Sequence, residues 1–139
     1  LLVASTVPAA QPEDVFDAVL YRGMRLPFNQ EAASFLVRDS DCSVREVEWP
    51  RQNKSREATF YGTPPPGTFA IVHSHPDSLP LPSPRDGELA RKSGLDVYVV
   101  TRGNVWKVRA SDGNVRMLRK RERKFGSDCH QTQIAAAGD

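Results

Sequence analysis

Apolar residues along this chain recur at a helical period, alternate, or run together in separate stretches, and each pattern predicts one kind of element. Val15, Phe16, Ala18, Val19 and Leu20 make an apolar face at helical spacing. The segment Gln11-Pro12-Glu13-Asp14 ahead of them puts a proline and two acids in a first turn, and Gly23 is placed to end the helix. Ser34-Phe35-Leu36-Val37 and residues 43–49, separated by Asp39-Ser40-Asp41, read as a β-hairpin. Its second strand alternates charged and apolar residues, so one face is wet. Residues 50–57 form a polar loop, Thr59-Phe60-Tyr61 reads as a short strand, and Pro64-Pro65-Pro66-Gly67 is a stiff turn into an apolar strand from Thr68 to His75.

Beyond that strand, Pro76 to Pro82 is too rich in proline for a helix or a central strand. Ser83-Pro84-Arg85-Asp86 then gives a helix start: serine at the N-cap, proline at the first helical position, an acid at the third. That helix runs to about Lys92, with Gly94 to stop it. Val97-Tyr98-Val99-Val100 is a buried strand by its unbroken apolar character. Arg102-Gly103-Asn104 turns it into Val105-Trp106-Lys107-Val108, and Asn114 to Leu118 adds one more strand. Strands interspersed with helices predict an α/β domain over residues 12–118, followed by a basic and polar tail over 119–139.

The chemistry is concentrated near the middle of the chain. His73 and His75 are two apart on a predicted strand, so both imidazoles point to one side. Asp86, fixed in the first turn of the next helix, is the candidate third ligand, with a seven-residue loop bringing that helix back over the strand end. Two histidines and a carboxylate leave a tetrahedral position open for water, the donor set of a catalytic rather than a structural zinc. Such a site needs a general base, and Glu31, just ahead of the Phe35-Leu36-Val37 strand, is the candidate. Ser83 is placed to cap the helix with its lone pair and to donate its O–H to an oxyanion. Each residue alone has a plainer role: Asp86 as a first-turn acid, Ser83 as a cap, Glu31 as a solvated strand-edge acid. The joint spacing favours the metal.

His73-Ser74-His75-Pro76 followed by Ser83-Pro84-Arg85-Asp86 resembles the H-[S/T]-H-P-x6-S-x2-D signature of the JAMM (MPN-plus, JAB-domain) zinc metallopeptidases, and Glu31-Ala32-Ala33-Ser34-Phe35-Leu36 resembles their upstream E-x-x-G-F-L segment. The resemblance covers roughly residues 12–110. It implies a three-layer α-β-α sandwich with a curved mixed sheet, one zinc ion on His73, His75 and Asp86, Glu31 as acid and base, and Ser83 at the oxyanion. Ala33 and Ser34 stand where small glycines usually follow the glutamate. The short polar loop at 50–57 and the scarcity of cysteines are nearer to the compact prokaryotic type than to relatives with a second metal site. The function implied is hydrolysis of a peptide or isopeptide bond, on a ubiquitin-like tail or a cell-wall or secreted peptide. The alternatives are a non-hydrolytic scaffold and a DNA-associated protein of RadC type.

Bulk properties narrow the partners. A net charge of +2, from 19 basic and 17 acidic residues, gives no field that would by itself select nucleic acid or a membrane. No apolar run reaches the ~20 residues of a membrane span. The one basic block, Arg119 to Lys124, reads as a solvated run. Cys42 and Cys129 form no metal or redox motif, and their pairing is left open, while His130 beside Cys129 is read as part of a polar tail. Residues 1–11, apolar and small, are either a lead-in or the end of an export signal. Tyr98 and Trp106 are expected in the core. Trp49, at the end of an alternating strand, is the candidate for substrate contact.

Overall fold

The computed structural model describes residues 12–26, 30–50, 60, 62–76, 79–123 and 125. Its elements are α1 (Pro12–Met24), β1 (Ala33–Arg38), β2 (Val44–Glu48), β3 (Thr68–Ser74), α2 (Pro84–Ser93), β4 (Asp96–Val100), β5 (Val105–Val108), β6 (Val115–Met117) and a 3-10 turn at Lys120–Glu122. The expectations for Thr59, Tyr61, Lys124, Cys129, His130 and residues 1–11 lie outside the described residues.

The strands form one mixed sheet in the order β2-β1-β3-β4-β5-β6. Only β3 and β4 are parallel, and α2 makes the crossover between them; the other neighbours are antiparallel. The helices lie on opposite faces. Val15, Phe16 and Val19 of α1 pack on Leu36, Ala70, Val72, Tyr98 and Val100. Ala90 of α2 packs on Ala33, Phe35, Ile71, Val97 and Val99. The result is the expected α-β-α architecture. Because side chains alternate along β3, Ala70, Val72 and Ser74 face α1, while Ile71 and His73 face α2.

Gly23 does not stop α1 but lies within its last turn. A Cβ there would sit 2.2 Å from Ser74 Oγ and 2.7 Å from Ser74 Cβ, so the helix can lie this close to β3 only with glycine at that position. Arg22, beside it, donates to Ser34 Oγ at 3.0 Å and pairs with Glu46, to which the Ser34 hydroxyl also donates. This polar knot ties the end of α1 to β1 and β2. Gly94, by contrast, ends α2 in the left-handed conformation at φ 70°, with its N–H donating to Ala90 O.

The core extends past residue 119, into the segment expected to be tail. Phe125 is buried against Phe16, Phe69 and Tyr98, with ring centroids 5.5 to 5.6 Å apart, and its carbonyl accepts from Arg38. A lone aromatic in a charged run has no period to betray it, yet burying it contributes roughly 1.5–3 kcal/mol. Trp49 is also buried, packed on Phe35 and Phe60, and its indole N–H meets no acceptor among the described residues. Tyr98 is buried and Trp106 partly so. Cys42 occupies the turn between β1 and β2 at φ 71° and is not a free thiol. No helix among the described residues is long and apolar enough to cross a membrane.

Candidate metal centre

The C-terminal end of β3 delivers the two histidines. Its register fixes them: Ala33 of β1 and Val99 of β4 flank His73, and the His75 N–H donates to Val100 O at 3.0 Å. With both imidazoles held on the α2 side, their rings lie 5.0 Å apart. The start of α2 brings in Asp86 from above. Its Oδ1 is 2.7 Å from His73 Nε2 and its Oδ2 is 3.2 Å from His75 Nε2. From the other side, Glu31 places Oε2 3.0 Å from His73 Nδ1 and Oε1 4.0 Å from His75 Nε2. All four side chains are nearly removed from water, at 2 to 6% exposure.

Each ring has its far nitrogen engaged by a group that can only accept. His73 Nδ1–H donates to the Glu31 carboxylate, and His75 Nδ1–H donates to Leu79 O at 3.1 Å. In the neutral rings this selects the Nδ1–H tautomer and turns both Nε2 atoms inward, the arrangement that prepares imidazoles as metal ligands. His73 Nε2 is close to Asp86 Oδ1, yet it is buried and makes no well-aligned hydrogen bond. Ligands in tetrahedral array around zinc lie about 3.3 Å apart, close to the spacings here. Glu31, His73 and His75 offer donor atoms all within 4.8 Å of one another, a grouping that could hold a metal ion and in which the carboxylate is that of Glu31 rather than Asp86.

Ser83 supports Asp86 in an unexpected way. Its N–H donates to Asp86 Oδ2 at 2.6 Å, closing the capping box expected of this helix start. The O–H is directed to the same Asp86 oxygen, at 3.2 Å. Leu79 O and the hydroxyl of Ser74, described below, are the two groups at this site that sequence reasoning passed over. The first is a backbone atom and carries no residue signal. The second was visible only as a small polar residue in an otherwise apolar strand.

Electrostatics follow from the geometry. Burial disfavours the charged form of His73, but the carboxylates of Asp86 and Glu31 beside its two ring nitrogens outweigh it and push the imidazole pKa up to about 10. Burial would likewise raise Asp86, yet its contacts with His73, His75 and the Ser83 N–H hold it well below the usual carboxylate range. In the metal-free protein, the stabilisation from the His73 imidazolium is therefore complete below its ordinary value of 6.5 and is lost as pH rises through about 10. The Asp86 contribution is present above its ordinary 3.8 and is lost as pH falls. The His73–Asp86 contact contributes to both shifts. Thermal unfolding in chelator is thus expected to give its highest midpoint between about pH 4 and 6.5 and a falling one from there to pH 9; a flat or rising midpoint above 6.5 would contradict this electrostatic account. A metal ion competes for Nε2 with that proton, so its uptake at neutral pH releases protons.

The profile of prokaryotic homologs of the JAB domain matches residues 12–119, which takes in every element from α1 to β6 and all of this cluster. The chain belongs to this family. The JAB domain so defined agrees with the resemblance read from the His-Ser-His-Pro and Ser-Pro-Arg-Asp segments, and with the helices on both faces of a mixed sheet. A search of curated proteins gave no match.

Proposed function

We propose that this JAB domain is a zinc-dependent hydrolase of peptide or isopeptide bonds, with His73, His75 and Asp86 holding the metal and Glu31 acting as general base. The observation that carries this reading is the convergence of two tautomer-fixed Nε2 atoms on one carboxylate, with a second carboxylate alongside. A bound zinc supplies positive charge that polarises a carbonyl and brings the pKa of water towards ~7. The protein supplies the rest. Glu31 keeps Oε2 on His73 and has Oε1 free to take the proton of the attacking water and deliver it to the leaving amine. Ser83 donates to the oxyanion by rotating its O–H away from Asp86, a turn about a single bond. The buried setting strengthens each of these interactions.

Against the scaffold alternative, which calls for lost ligands, stands the presence of His73, His75, Asp86 and Glu31 together in one cluster. The DNA alternative finds little support in the basic side chains of β5, β6 and the turn between them. Lys107 lies 3.6 Å from Asp96, Arg109 pairs with Asp112, and Arg116 pairs with Glu122, so that surface is largely neutralised. The purified protein is expected to carry about one zinc per chain and to cleave a member of a panel of ubiquitin-like fusions, isopeptide conjugates and muropeptides. Chelation should abolish cleavage and zinc should restore it. Turnover indifferent to chelator, or a chain that takes up no zinc, would remove this reading.

A further inference from the structure

Ser74 lies between the two histidines in sequence but on the opposite face of β3, buried under α1. Its backbone N–H donates to Ala32 O at 2.9 Å, and its hydroxyl accepts from Ala32 N–H at 3.0 Å. The β1–β3 ladder has its last register pair at Ala33 and His73. The Ser74 clasp therefore continues the attachment one residue further, to the amide that directly follows Glu31. From the third side, Gly23 of α1 closes over the same hydroxyl, leaving no room for a Cβ. One oxygen thus joins the helix, the histidine strand and the segment that carries the candidate base.

We propose that Ser74 is a positioning residue for Glu31. Its hydroxyl holds the Ala32 amide, and so keeps the neighbouring carboxylate within hydrogen-bond reach of His73 Nδ1 while its second oxygen stays near His75. Deleting the hydroxyl leaves the buried Ala32 N–H without its partner, and the chain at Glu31 is released from the strand end. His73 then loses a fixed tautomer without any change to a ligand. The inference rests on the metal-centre reading above.

The test is zinc affinity, measured by competition with a chromophoric chelator, in the intact chain and in Ser74→Ala, Ser74→Thr, Glu31→Ala and the Ser74→Ala/Glu31→Ala double variant. Ser74→Ala is expected to weaken zinc on the order of 10-fold, the scale of a lost partner behind a ligand. Ser74→Thr, which keeps the hydroxyl, should stay within about threefold of the parent. In the Glu31→Ala background, Ser74→Ala should cost nothing more, because a group acting through another has no effect once that other is gone. Equal losses in both backgrounds, or no loss in either, would overturn the proposal, as would a threonine variant as weak as the alanine one. Should Ser74→Ala not fold, Ser74→Val, which differs from the threonine variant only in a methyl for the hydroxyl, carries the same comparison with and without Glu31. Failure of the metal reading itself looks different: the unmodified chain would then bind no zinc.

Discussion

Asp86→Ala is expected to reduce zinc affinity by more than 100-fold, to below detection in a chelator competition that readily registers the parent protein. Groups that merely orient a ligand cost 10–100-fold when removed, so a ligand should cost more. The geometry makes Asp86 the hub: one carboxylate oxygen lies against each Nε2, and among the described residues no other side chain does this for both rings at 3.2 Å or less. The variant also frees the Ser83 N–H and takes the counter-ion from His73, so the metal-free protein should lose stability as well. Asp86→Asn separates the two effects. It keeps an oxygen for the Ser83 amide, and hence the helix start, while losing the charge. If Asp86→Ala still took up zinc with near-parental affinity, the carboxylate on the metal would have to be Glu31, whose donor atoms lie within 4.8 Å of those of both histidines.

Much of this site could be read before any coordinates because its rules are local. Two histidines at i and i+2 share a face on any strand, and a Ser-Pro-x-Asp start pins an acid to a first helical turn whatever packs around it. The elements were legible for the same reason, since the short, turn-bounded apolar runs at Phe35-Leu36-Val37 and Val97 to Val100 suit buried strands. Contacts made at a distance were not legible. That β1 would lie between β2 and β3, with Ala33 opposite His73, is a property of the assembled sheet. Gly23 signals a helix end in sequence but serves as the gap for Ser74 in the fold. Trp49, taken as a surface for substrate, closes a core cluster with Phe35 and Phe60, and Phe125 does the same on the opposite face. Ser83 shows the limit most plainly. Its type fixed its place at the N-cap, but the direction of its O–H depends on a carboxylate that two histidines hold in reach.

Glu31→Gln is expected to keep the metal and to lose turnover by about 10²–10⁴-fold, the usual contribution of a general base. The split follows from the two oxygens having different tasks. Oε2 accepts from His73 Nδ1–H, and a glutamine carbonyl oxygen can do the same, so the tautomer of His73 and its inward-facing Nε2 survive the substitution. What glutamine cannot do is take a proton near neutral pH. Zinc content by metal analysis should therefore remain about one per chain, while kcat on any substrate the parent cleaves collapses. Turnover within a few-fold of the parent would exclude Glu31 as the base. Loss of zinc together with turnover would instead move Glu31 onto the metal, and Asp86→Ala then decides between them. The two carboxylates flank the same pair of histidines, and only their separate removal can tell the one that holds the ion from the one that moves the proton.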